Sequence, residues 1–184
     1  MHRENDVARV AFMTFGVLYE SRAHPRSQGF IDRIPAALAQ AERSEGFIAR
    51  SYLDSDTGLH SWGELVCPRF LPEELHPNVA RTLSLWRSLE AVCAFSYAGV
   101  HREAMTLRDE WFRKREFPTH VIWWVADDHV PTFSESTARL EQLHAKGPRP
   151  DAFNFRRAFD SAGNPTVLDH LLTKQIAARN ASSR

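Results

Sequence analysis

His101, Met105 and Arg108 recur at i, i+4 and i+7, the spacing that puts three side chains on one face of an α-helix. Trp111 and Phe112 follow one turn later. An imidazole can take up or release a proton near neutral pH. A guanidinium on the same face can hold a carboxylate, phenolate or enolate. Indole walls, from Trp111 here and from Trp86 and Trp124 on strands, would orient a planar compound and exclude water. Tyr97 stands just before Gly99, where the preceding apolar helix breaks. A mainly apolar surface with a few polar groups is the usual composition of a small-molecule site. His101 is thus the candidate acid/base and Arg108 the anion partner. Trp86, Tyr97, Met105, Trp111 and Trp124 are the candidate substrate-binding residues.

Packing offers a plainer account of each residue. A histidine at a helix start is often a cap or a satisfied core residue. Arg108 can pair with a neighbouring carboxylate such as that of Glu110, or with one across a dimer. Of Trp123 and Trp124, only one can face a pocket, because adjacent strand residues point to opposite faces. Tyr97 can hydrogen-bond a backbone carbonyl. Glu90 suits the first turn of a helix, where the dipole favours a negative charge.

Other chemistries lack their signatures. The run Asp127-Asp128-His129 has metal-compatible residue types without a partner spacing, and no GxGxxG, P-loop or GxSxG occurs. Nine histidines leave room for a haem ligand, with His101, His60 or His76 as candidates.

The elements that must position these residues can be read along the chain. "VARVAFMTFGVL" (7–18) is apolar at odd and even positions, as in a strand covered on both faces. A helix follows from about Asp32, its proposed cap, to Gly46. Its start is placed there because Pro35 is tolerated only near a helix N-terminus. Strands are expected at 47–53, 79–86 and 119–126. Ser88 can cap the helix after the third strand, and Thr132 with Glu135 has capping-box spacing for a helix to Ala145. The segment 59–78 carries Pro68, Pro72 and Pro77 together with Trp62 and Phe70. It reads as a loop folded over the cavity mouth as a lid. Asn164 and Pro165 suit the start of a last helix near 167–178, followed by a frayed tail.

The order β-α-β, loop, β-α-α-β is that of a ferredoxin-like α+β fold, a four-stranded antiparallel sheet with helices on one face. Residues 1–157 would form this domain and 158–184 a C-terminal helical extension. The other face of the sheet would need a second subunit, so a homodimer is expected.

Composition excludes several classes. The 23 Lys and Arg balance 23 Asp and Glu, and the basic residues are scattered, which disfavours nucleic acid as a partner. No stretch approaches the ~20 apolar residues of a membrane span, and no signal peptide is apparent. Cys67 and Cys93 lack a metal or redox spacing, and Cys93 reads as a buried free thiol. These features lead to the expectation of a cytoplasmic protein with reduced thiols.

Several stretches also resemble a known bacterial family. Trp86-Arg-Ser-Leu-Glu90-Ala, Phe95-Ser-Tyr97, His101-Arg-Glu-Ala-Met105 and Arg108-Asp-Glu-Trp111-Phe112 are similar to the domain of unknown function family DUF3291. So are "ARVAFMTFGVL", "VIWWV", "RLEQL" and "GPRPDAF". That family resembles a divergent branch of the dimeric α/β barrels that include the antibiotic-biosynthesis monooxygenases. In those enzymes a Trp at the end of the third strand precedes an acidic-Ala helix and a His-rich turn. Trp86, Glu90-Ala91 and His101 match those positions, and Phe95 stands where a further His is often found.

The resemblance implies two sheets facing each other across a dimer. It also implies a small-molecule enzyme of the monooxygenase-like type, acting on an aromatic or polyketide-like substrate. The reaction would be oxygenation, or proton-transfer isomerisation or cyclisation, with no cofactor expected. A haem-binding barrel enzyme and a non-catalytic ligand-binding protein are the alternatives.

Overall fold

A computed structural model describes residues 8–97, 99–114 and 116–182, apart from the side chains at 99–102, 104 and 105. Four strands form one sheet: β1 (Arg9–Val17), β2 (Phe47–Arg50), β3 (Val79–Trp86) and β4 (His120–Val125). Their order is β2-β3-β1-β4, and every neighbouring pair is antiparallel. This is the ferredoxin-like arrangement expected from the element order. The helices of the repeat are α1 (Pro25–Arg43), then α2 (Leu89–Ser96) and α3 (Gly99–Trp111) between β3 and β4.

Local signals account for several of these elements. Ser88 Oγ accepts a hydrogen bond from Ala91 N at 3.1 Å and starts α2. Thr132 Oγ1 does the same for Glu135 N at 3.1 Å, at the start of α4 (Phe133–Lys146). Two helix starts differ from expectation. The first helix begins at Pro25 rather than near Asp32, because His24 Nδ1 accepts from Arg26 N at 3.1 Å and Pro25 suits the first turn. Pro35 is accommodated inside that helix.

The last helix, α5 (His170–Ser182), is capped by Asp169, whose Oδ1 accepts from Leu171 N and Leu172 N at 2.9 Å each. Asn164 and Pro165 belong instead to a hairpin. Asp160 Oδ1 takes Ala162 N at 3.0 Å and Asn164 N at 2.8 Å. The turn this makes pairs β5 (Ala158–Phe159) with β6 (Pro165–Thr166).

The two faces of the sheet are both covered within one chain. On the odd face, Ala11, Met13, Phe15 and Val17 of β1 lie with Leu83, Leu85, Val121, Trp123 and Val125. Phe133, Leu140 and Leu143, one stripe of α4, close over them. Trp62, Phe70, Leu71 and Leu75 complete the cover. Helix α4 thus packs on the odd face, while α1 and α2 join the even-face core. One expectation is corrected. The proline-rich segment 59–78 is packed on the odd face and is not a lid over the side of the sheet that carries α2 and α3. Its large apolar side chains find their burial on the chain's own sheet.

On the even face, Val10, Phe12, Trp86 and Ile122 pack against Leu89, Ala91, Val92 and Phe95 of α2. Ala41 of α1, Phe153, Ala158, Phe159 and Leu168 belong to the same core. The region after residue 157 therefore shares the core of the preceding domain. Arg179 also binds Glu45 with contacts of 2.6 and 2.9 Å, and Glu90 Oε1 accepts from Asp169 N at 3.2 Å.

Candidate functional site

Three polar residues cross the even face in one row. The register sets Thr14 opposite Thr82 on β3 and opposite His120 on β4. The two threonine hydroxyls lie 2.7 Å apart. Thr82 is exposed although it belongs to an interior strand of the sheet. Its even-face neighbours toward the strand ends, Gly16 and Ala80, are small.

Helix α1 packs mainly along α3 and against β2. Ala41 near its end is buried in the even-face core, while Ile34 and Leu38, on the same helical stripe, stay half-buried. The hydroxyl row and this half-buried stripe are the floor and roof of a candidate cleft. Rings form one side: His120 lies 5.9 Å from Phe12 and 5.2 Å from Phe155, and Phe155 is 6.0 Å from Tyr97. Arg50, which faces the same way opposite Ser84, is bound to Glu42 of α1 at 2.7 Å. That ion pair ties the end of α1 to β2.

Aromatic rings lie beyond both ends of the row. Trp86, past Ser84 on β3, is part of the packed core. It is 0% exposed, stacks on Phe95 at 5.1 Å and donates from Nε1 to Ser84 Oγ at 2.9 Å. At the other end Phe112 rests on Gly16. A Cβ at position 16 would lie 2.7 Å from that ring, so any larger residue forces the ring to move.

The residues singled out from the sequence are thus spread over several environments. Trp86 belongs to the core and presents no surface to the cleft. Trp111 is buried between α1 and α3, 6.0 Å from Phe30, with the Arg33 guanidinium 5.4 Å from its ring. Trp124 is half-buried and donates from Nε1 to Phe159 O at 2.7 Å. Tyr97 is 55% exposed beside Phe155 and is the one aromatic of the set that reaches the cleft margin. Arg108 has a side chain 12% exposed and lies 3.9 Å from the Asp109 carboxylate. The His101 and Met105 side chains lie outside the described residues, although the backbone places both on α3 above the sheet.

Thr14, Thr82 and His120 did not emerge from helix spacing. Their signal was present as polar residues at even positions in these strands.

The chain's residues 9–169 match the model of the domain of unknown function family DUF3291. The chain belongs to this family. The matched span of the DUF3291 protein takes in the whole sheet, α1 to α4 and the β5–β6 hairpin. No curated protein matches it.

Solved structures resemble it at low identity and low TM-score. One is SnoaB, a cofactor-independent oxygenase from Streptomyces nogalater, at 13% identity and a TM-score of 0.40, covering 67% of this chain and 97% of that one. A conserved protein from Methanosarcina mazei Go1 is 12% identical with a TM-score of 0.41, covering 66% and 94%. A protein of unknown function from Nitrosomonas europaea is 11% identical with a TM-score of 0.40, covering 68% and 95%.

Burial, and then the charge of Glu90, push the Cys93 thiol up to about 11. Among the described residues no cluster of three or more His, Cys, Asp or Glu could hold a metal, and no helix is long and apolar enough to cross a membrane.

Proposed function

We propose that this DUF3291 protein binds a planar, largely apolar organic molecule in the cleft between the even face and helices α1 and α3, and carries out a proton-transfer step on it. One observation carries this reading. A hydroxyl pair, one member of it exposed, lies on a sheet face whose end near Trp86 is packed with large apolar side chains. A buried polar pair in a core would be enclosed, whereas Thr82 is open.

The chemistry follows from the residue types. Thr14 and Thr82 can each donate or accept a hydrogen bond to a substrate oxygen. The imidazoles of His120 on the floor and His101 on α3 are the candidate proton carriers. Phe155 and Tyr97 would hold a flat ring by offset contacts. A carbanion or enolate formed in this way could isomerise, cyclise or react with oxygen. A site of this kind needs the substrate's own acidity and a dry cavity.

Thr82→Phe fills the cleft from its floor. In saturation-transfer NMR with 2-naphthol and related planar phenols, binding should be seen for the native chain and lost in this variant, with the fold retained by circular dichroism. Equal binding by both proteins would remove the cleft from consideration. With a turned-over substrate, His101→Ala and His101→Gln should each lower turnover by roughly 10²–10⁴-fold, with a stability loss of about 1 kcal/mol. Full turnover in both would return His101 to a packing role.

A further inference from the structure

A second cavity lies beyond Phe112, where β1 ends and the chain approaches β4. It is a groove of about 280 Å³ lined by Tyr19, Leu75, Arg113, Lys114, Glu116 and Phe117. A narrower crevice of about 10 Å³, space for a single water, shares Arg113, Lys114 and Phe117 with it and reaches Arg108 and Thr119. We infer that this groove is a binding site for a small organic anion with a flat apolar body, such as an arenecarboxylate. It is separate from the cleft over Thr14 and Thr82.

Charge and shape support that class of ligand. Among the described residues, Arg108, Arg113 and Lys114 line the crevice or the groove, together with the carboxylate of Glu116. Asp109 approaches only Arg108, at 3.9 Å and with its own side chain 94% exposed. The apolar part of the groove is made by Tyr19, Leu75 and Phe117, two of them aromatic.

The Tyr19 ring is also held in place. Arg26 lies over it at 3.9 Å and is anchored by donating from Nε to Glu110 O at 2.8 Å. Arg113 approaches the same ring at 5.9 Å. A carboxylate between Arg113 and Lys114 would gain charge-assisted hydrogen bonds while its ring lies along Phe117 and Leu75. A neutral analogue would gain only the apolar contact. The volume suits one or two fused rings and is too small for a macromolecular segment.

The groove is built by two segments that the sequence alone does not join. Leu75 belongs to the short 3₁₀ helix at Glu73–Asn78, at the end of the segment read from sequence as a lid. Arg113 and Lys114 follow α3. Two backbone hydrogen bonds fix the second segment to β1 and the loop after it: Tyr19 N to Trp111 O at 2.8 Å and Arg113 N to Val17 O at 2.8 Å.

Titration calorimetry with 2-naphthoate, 2-naphthamide and inorganic phosphate tests the assignment. The expected result is binding of 2-naphthoate that weakens as salt is raised, with 2-naphthamide and phosphate each at least about tenfold weaker. The double variant Arg113→Gln/Lys114→Gln, both positions being exposed, should weaken 2-naphthoate by about tenfold to a hundredfold. Thr82→Phe should leave that binding unchanged. Loss of naphthoate binding in Thr82→Phe, with the double variant unaffected, would assign the ligand to the other cleft and overturn the inference. Equal affinity for naphthamide would overturn it as well, and so would no binding of naphthoate at all. A failure of the Thr82 cleft to bind phenols leaves these outcomes unchanged, so the two sites stand or fall separately.

Discussion

The odd and even faces of this sheet are built from the same strands and finished in opposite ways. On the odd face every strand residue named in the core is large and apolar or in tight contact, and α4 lays Phe133, Leu140 and Leu143 directly onto it. On the even face the end near Trp86 is packed just as closely, but the row Thr82–Thr14–His120 is polar and Thr82 is exposed. The difference shows that strand hydrophobicity alone does not say which face is a site. What matters is whether the covering element presents a stripe that matches the face beneath. The stripe of α4 does so along its length, whereas that of α1 meets the sheet core at Ala41 and leaves Ile34 and Leu38 half-buried.

Core substitutions should separate the faces most sharply. Phe133→Ala removes a side chain 1% exposed from the odd face and should cost about 3–5 kcal/mol in denaturant unfolding. Thr82→Val, on the open row of the even face, should change stability by no more than about 0.5 kcal/mol. Similar losses in both variants would mean that the even row is as tightly enclosed as the odd face, and the cleft would be lost with it.

A smaller effect is expected where the cleft meets the groove. Gly16→Ala places a methyl group against the Phe112 ring and should destabilise the chain by about 1–3 kcal/mol. Gly16→Ala combined with Phe112→Leu should recover part of that loss, because the smaller side chain gives way. No recovery would mean that the strain arises elsewhere.

The smallest effect is confined to acid pH. His60 packs edge-on to Phe133 at 5.1 Å, and burial, then the charges of Arg81 and Arg22, hold its pKa below the ordinary imidazole value of 6.5. The unfolded chain therefore binds a proton at His60 before the folded chain does. Stability from this group should be intact above about pH 6.5 and decline as pH falls from there toward the lowered folded-state value. Urea unfolding across that window should show the decline for the native chain and a flatter profile for His60→Gln. An unchanged slope would place the acid sensitivity at another group.

Much of the fold was legible because its signals are local. Ser88 and Thr132 cap the helices that follow them, and β3 spans the residues at which the pattern put it. The start of α1 was hidden because the cap is a histidine, and because Pro35, which argues for a late start, is tolerated mid-helix here. Asn164 and Pro165 have the residue types of a helix start, yet Asp160 gathers the backbone around them into a turn first. The candidate site was read from the i, i+4, i+7 pattern of α3. That pattern identified a helix face and could not say what lay across from it.

The sequence by itself determined the order of strands and helices, several of the caps, and the alternation that gives β1 two apolar faces. These depend on residues close together along the chain, where backbone preference and side-chain period act directly. Only the tertiary structure decided which elements cover which face. It turned α4 and the proline-rich segment onto the odd face. It also put Trp86 in the core, and brought Leu75 beside Arg113 and Thr14 beside Thr82 and His120. Those contacts join residues far apart in sequence, and they are set by which apolar stripe finds enough matching surface to leave water.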